Sequence, residues 1–146
     1  MPGSGDWEFT LALAGAESRA LDYLTPAQIA LVDGTTGAPG SVAGLMMMKG
    51  ATAPKTLQVA TTTWAGGSFV ALGTFDNIHN NEGYLRVKKV GTTYSWSFST
   101  TGKRWTTIYS GSLGFTPGRV LIGGKTQIVT SGDAPVGVFK WFRRTA

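Results

Sequence analysis

The stretch from Gly83 to Ile108, G-Y-L-R-V-K-K-V-G-T-T-Y-S-W-S-F-S-T-T-G-K-R-W-T-T-I, admits few folds. Tyr94, Trp96 and Phe98 fall on one side of a period-2 alternation, and Thr93, Ser95, Ser97 and Ser99 fall on the other. That is the pattern of a strand with one face on a core and one face wet. Ahead of it, Leu85 and Val87 alternate with Tyr84, Arg86 and Lys88, and Gly91 among threonines supplies a short reversal between two antiparallel strands. Behind it, Ser99-Thr100-Thr101-Gly102 reads as a second turn and Trp105 as the opening of a third strand, which completes a meander. The alternation assigns Trp7, Trp96 and Trp105 to the core.

The rest of the chain extends the same pattern. Trp7, Phe9, Leu11 and Leu13 alternate in a first strand, and further strands are read at Gln28–Asp33, Val42–Lys49, Thr56–Trp64, Ser68–Leu72, Arg119–Gly123, Thr126–Thr130 and Val136–Phe142. Gly73 to Gly83 reads as a polar loop, and Ala16 to Ala20 is too tightly bracketed by Asp22 and Pro26 for a lasting helix. At 146 residues the chain is one domain by size, able to bury roughly two-thirds of its unfolded surface. Twenty-one glycines and no helical periodicity favour an all-β fold of about ten or eleven strands. Residues 1–6 read as a flexible arm or linker and 7–146 as a single domain. No repeat of fixed period is present, which argues against a propeller or solenoid.

There is no cysteine, which removes disulfides and thiolate metal sites. No run approaches the ~20 apolar residues of a membrane-spanning helix, and M-P-G-S-G-D lacks the basic start of a signal peptide. The expectation is a soluble product made in the cytoplasm, without membrane insertion.

The meander with S-x-x-G-x-x-W, from Ser99 through Gly102 to Trp105, resembles the concanavalin A-like, laminin G-like jelly-roll superfamily. The resemblance is to the form found in carbohydrate-binding modules and in phage fibre and other virion proteins. Val42-Ala43-Gly44-Leu45-Met46-Met47 is similar to that family's small-Gly-apolar core strand, and Val136 to Phe142 to its final strand. Where the family usually has Asp-Gly ahead of the Trp, Thr101 precedes Gly102 here. The resemblance implies an antiparallel β-sandwich (jelly roll). It also implies a non-catalytic structural or attachment protein of a virus particle, of the phage kind, serving as a head decoration protein or tail-fibre module and able to bind host-surface glycans. The expected location is then the virion, after synthesis in the host cytoplasm. The alternative is a carbohydrate-binding module of a larger secreted or surface protein, with an extracellular location.

Charge is unevenly spread. Residues 1–82 carry three basic and seven acidic side chains, whereas residues 83–146 carry ten basic side chains and Asp133. Interleaved strands would cancel much of this asymmetry. Alternatively Arg86, Lys88, Lys89, Lys103 and Arg104 make a basic face for an anionic partner, such as an acidic virion protein or a phosphorylated or uronic glycan. Nucleic acid is disfavoured, because the aromatics interleaved with these charges point mostly inward. Met46, Met47 and Met48 cannot share one strand face, so this strand either fills a curved core or forms a contact between copies of the chain.

A glycosidase on this fold would carry paired carboxylates on one strand, about 5 to 5.5 Å apart in a retaining enzyme. No E-x-D-x-E pattern is present, and Asp6 and Glu8 adjoin the leader, so no catalytic residues are assigned. Gly123-Gly124-Lys125-Thr126 lacks the first glycine and the helix of a phosphate loop. Asp76, Asn77, Asn80 and Glu82 are oxygen ligands that calcium could use, but without a D-x-D-x-D-G pattern no metal or cofactor is expected. His79, the single histidine, reads as a solvated loop residue. Exposed aromatics stack on sugar rings, and Trp64 and Tyr109, with Asn77, Asn80 and Asn81 as hydroxyl partners, are the candidates for that role; the bland reading is that both rings are lids on the core.

Overall fold

The computed structural model describes residues 5–17, 24–34, 41–49, 55–63, 70–78, 82–126 and 136–145. Ten strands run through them: β1 (Trp7–Glu17), β2 (Leu24–Asp33), β3 (Ser41–Lys49), β4 (Lys55–Thr63), β5 (Val70–Ile78), β6 (Gly83–Val90), β7 (Thr93–Ser99), β8 (Thr106–Gly111), β9 (Pro117–Thr126) and β10 (Val136–Thr145). They form two five-stranded antiparallel sheets. Sheet A has the order β10-β1-β6-β7-β8 and sheet B the order β5-β4-β3-β2-β9. Strands β2 to β5 and β6 to β8 are meanders, and the remaining connections cross between sheets. The all-β fold read from the sequence and the antiparallel sandwich implied by the resemblance are therefore both present. Among the described residues there is no helix, and so none long and apolar enough to cross a membrane.

The inward faces are those that the alternation marks. Trp7, Phe9, Leu11 and Leu13 of β1, Leu85 and Val87 of β6, and Tyr94, Trp96 and Phe98 of β7 meet Ile29 and Leu31 of β2, Leu45 of β3 and Val59 of β4. Trp96 is fully buried at the centre. Trp7 lies edge-on to Phe9, with ring centroids 5.1 Å apart. Each fully buried aliphatic or Phe side chain contributes about 1.5–3 kcal/mol of transfer free energy, so this shared interior is what holds the sheets face to face.

Several boundaries differ from the sequence reading. Strand β5 continues through Phe75, Asp76 and Asn77, where a polar loop from Gly73 was expected. Asp76 and Asn77 give this part of β5 the composition of a loop, which is why the extension is hidden. Strands β1, β2 and β9 are also longer than expected, and Ala16 and Glu17 belong to β1 rather than to a helical turn. Trp105 is not a core residue: it precedes β8 and packs on the outer face of sheet A. Of the strand expected at Thr126–Thr130, Thr126 closes β9 and residues 127–130 lie outside the described residues.

The sandwich closes tightly along one side. At Gly73 of β5, an added Cβ would overlap the carbonyl oxygen of Ile108 in β8. At one end of sheet A the start of the chain is fastened, since Asp6 Oδ1 accepts the Gly91 amide at 2.8 Å and Lys89 Nζ donates to the Gly5 carbonyl at 3.1 Å. The remainder of the expected arm, residues 1–4, lies outside the described residues.

Candidate functional site

The outer face of sheet A carries small side chains on β1 and β7 and large ones between and beside them. Register places Ala12 of β1 opposite Tyr84 of β6 and Trp141 of β10, and Tyr84 opposite Ser99 of β7. One row along, Thr10 stands opposite Arg86 and Arg143, and Arg86 opposite Ser97. Thr10, Ala12, Ser97 and Ser99 are all buried although they point away from the core. Larger cross-strand neighbours lean over them, as facing pairs on one side of a sheet do. The result is a layer of rings and guanidinium on a floor of small residues.

That layer has a defined geometry. The Tyr84 ring lies 5.9 Å from Trp141 at an interplanar angle of 49° and 6.5 Å from Trp105, edge-on. The Arg86 guanidinium carbon sits 3.9 Å from the Trp105 ring centroid, a stacked cation–π contact. Arg86 Nη1 also pairs with Glu8 Oε2 at 3.6 Å, and Glu8 Oε1 accepts from Thr10 Oγ1 at 3.4 Å. Burial lowers the Arg86 pKa and the Glu8 charge opposes that shift. Arg86 Nε is buried and has no partner among the described residues. Trp141 is the open member of the group, 44% exposed.

The S-x-x-G-x-x-W motif builds one wall of this layer. Ser99 Oγ accepts the Gly102 amide at 2.8 Å and the Thr101 amide at 3.2 Å, closing the turn with a side chain. Gly102 has φ +74°, a left-handed conformation that glycine adopts without strain. An added Cβ there would lie 3.3 Å from the Tyr84 ring, so the turn rests directly on Tyr84. Three residues on, Trp105 is delivered beneath Arg86.

Of the residues expected to bind a ligand, Tyr109 is not at this face. Tyr109 is half-buried and turned to the core side, its ring centroid 6.0 Å from Trp96. A bulge opposite Trp96 and Ser97 puts Tyr109 across from inward Trp96, and Thr107 across from outward Ser97. Trp64, His79, Asn80 and Asn81 lie outside the described residues, and Asn77 is within β5. Among the described residues no group of three His, Cys, Asp or Glu could hold a metal ion. Of the expected basic face, Arg86 is part of the ring layer, and Lys88, Lys103 and Arg104 are exposed. The side chains of the three methionines lie outside the described residues.

Tyr84 is on the outer side as the alternation of β6 requires, whereas Trp141 escapes assignment from sequence for a physical reason. Along β10, Phe139 stands opposite Leu13 and Trp141 opposite Ala12, because Lys140 is an extra residue at a bulge. Leu13 faces the core and Ala12 the outer side, so two positions that period 2 assigns to one face are paired with opposite faces of β1. Only the cross-strand register reveals that Trp141 is outward.

No family model matches the chain, and no curated protein matches it by sequence. Among solved structures the fold is similar to a functionally unknown protein from Saccharomyces cerevisiae, with a TM-score of 0.62 and 14% identity over 99% of this chain and 71% of that one. It is also similar to a mutant of the GH43 protein BlXynB from Bacillus licheniformis, with a TM-score of 0.67 and 16% identity, over 97% of this chain and 27% of that one. The CBM2 module of an evolved Dit from a Lactobacillus casei phage matches with a TM-score of 0.49 and 11% identity, over 83% of this chain and 51% of that one. At these identities the first two likenesses establish a shared sandwich and not a shared activity.

Proposed function

We propose that this chain is a non-catalytic glycan-binding module used for attachment, which takes a sugar ring on Trp141 at the outer face of sheet A. The carrying observation is that Trp141 is exposed on the solvent side of a sheet while Tyr84 steadies it from one side. A large aromatic in that setting contributes nothing to the core, and an indole face is the natural partner of the apolar face of a sugar. Arg86 and Arg143, one row along the sheet from Tyr84 and Trp141, stand close enough to take hydroxyls. Among the described residues, Glu8 on this face is held by Arg86, and Glu82, just before β6, by Lys140 at 3.7 Å. Ion-paired acids suit hydroxyl recognition better than the paired acid and base that hydrolysis needs.

The setting favoured by the sequence resemblance is a virus particle of the phage kind, with the chain as a head decoration or tail-fibre module touching other virion proteins or further copies of itself. The alternative setting is a module of a larger secreted or surface protein. The fold's likeness to 27% of a GH43 chain fits that alternative. Both settings share the same face and the same test. A glycan array probed with the full chain and with Trp141→Ala should show a sugar class that binds the first and loses the second. A silent array for the unaltered chain, or equal signals from both proteins, would refute the proposal.

A further inference from the structure

We infer that the ligand of this face is an acidic glycan, its ring seated on Trp141 and its carboxylate or sulfate ester held by Arg143. The inference rests on the reading of Trp141 as a sugar platform and names the chemistry that the platform selects. Trp141 and Arg143 are two residues apart on β10, beyond the Lys140 bulge, so they project on the same side about 7 Å from each other. That separation suits one sugar residue, stacked through its ring, with an acidic substituent pointing along the strand. Arg143 is exposed and has no hydrogen-bond or ion-pair partner among the described residues.

The charge around the platform is lopsided. Arg86 and Lys140 are matched by Glu8 and Glu82, whereas Arg143, Lys88, Lys103 and Arg104 have no ion-pair partner among the described residues. Arg143 and Lys88 on the outer face, with the exposed Lys103 and Arg104 in the β7–β8 turn, give a net positive potential that favours an anion over a neutral or cationic ligand. A guanidinium also matches a carboxylate or sulfate with two parallel hydrogen bonds, which an ammonium cannot do. Nucleic acid fits less well. A continuous phosphate backbone crossing this face would meet Glu8 and Glu82, while a sugar can offer hydroxyl donors to the same carboxylates.

The test uses the full chain, Arg143→Gln and Trp141→Ala, titrated with matched pairs of probes. One pair is oligogalacturonate and its neutral methyl ester; the other is a heparin-derived oligosaccharide and its desulfated form. An oligodeoxythymidylate serves as the polyphosphate probe. The expected result is at least one acidic member binding roughly fivefold tighter than its less charged twin, with the preference lost in Arg143→Gln and in about 1 M salt. Which pair shows the preference identifies the acidic group. Trp141→Ala should lose both members of that pair, and unchanged thermal unfolding of each variant shows that the fold is intact. Equal affinity for charged and neutral twins would overturn the acidic assignment and leave glycan binding standing. Retained preference in Arg143→Gln, or oligodeoxythymidylate binding as tightly as the acidic sugars, would also overturn it. No binding of any sugar probe, together with a silent array, would remove both readings.

Discussion

Replacing Ser99 by alanine tests the turn that holds the ring layer in place. Ser99 is 2% exposed and its hydroxyl oxygen accepts two amides, from Gly102 at 2.8 Å and Thr101 at 3.2 Å. Thr101 is exposed, so its amide passes to water with little loss. The Gly102 amide is half covered beside the Tyr84 ring and finds no such replacement. One good hydrogen bond lost and one donor left partly stranded cost about 1–2 kcal/mol together. With a urea dependence of about 1.5 kcal/mol per molar, the midpoint should fall by roughly 1 M. Gly102→Ala acts on the same turn by a different route, since a left-handed alanine costs about 1–2 kcal/mol and its methyl would press on Tyr84. In Ser99→Ala the turn is already free to move, so the double variant should lose about 0.5–1 kcal/mol less than the sum of the two. Urea melts followed by tryptophan fluorescence give the energies, and exchange of the Gly102 amide reports the local opening. A Ser99→Ala protein within about 0.3 kcal/mol of the parent, with Gly102 equally protected, would refute the anchoring role, and strict additivity would refute the coupling.

Two further outcomes follow from the packing. Burial raises the Tyr94 pKa, so the folded state holds the phenol proton more tightly than the unfolded chain does. That contribution is complete below the ordinary tyrosine value of about 10, and is lost as pH rises through the raised folded value. Stability should therefore fall more steeply above pH ~10 in the parent than in Tyr94→Phe, and parallel curves would show that burial is not felt by the phenol. Gly73→Ala drives a methyl into the Ile108 carbonyl oxygen between the two sheet edges and should cost about 1–3 kcal/mol in chemical unfolding. Gly114→Ala, where a Cβ meets nothing within 4 Å, should be near neutral, and equal costs would contradict the close approach of β5 to β8.

The sandwich is legible in sequence wherever a strand keeps one uninterrupted alternation. Trp7 to Leu13, Leu85 with Val87, and Tyr94 to Phe98 all face the core as their spacing requires. Legibility ends where the phase is reset. The Ser99–Gly102 turn is too irregular to carry the phase of β7 into β8, so spacing counts Trp105 inward when it lies outside. The bulge at Lys140 does the same to Trp141, and the bulge in β8 turns Tyr109 back to the core side, as the core-lid reading had it. The residues that sequence alone misplaces are thus the aromatics next to irregular backbone. Basic residues are easier to find, because charge needs no phase to be read, but which of them share a face with a ring depends on register alone.

Those irregularities also place the ring layer at a particular end of the sheet. Thr145, near the end of β10, stands opposite Glu8 at the start of β1, and Gly5 and Asp6 are tied to the β6–β7 turn. Trp141 and Ala12 are four residues further along the same two strands, about 13 Å away at ordinary strand rise. Tyr84 and the Gly102 turn lie at that far end too, since Tyr84 pairs with Ser99 at the close of β7. The described ends of the chain therefore leave sheet A at its β6–β7 turn, while the aromatic layer sits toward its β7–β8 turn. On the proposed reading, immobilising the protein through Gly5 and Asp6, at the far end of sheet A from Trp141, should leave glycan binding intact, and a loss of binding on immobilisation would count against Trp141 as the platform.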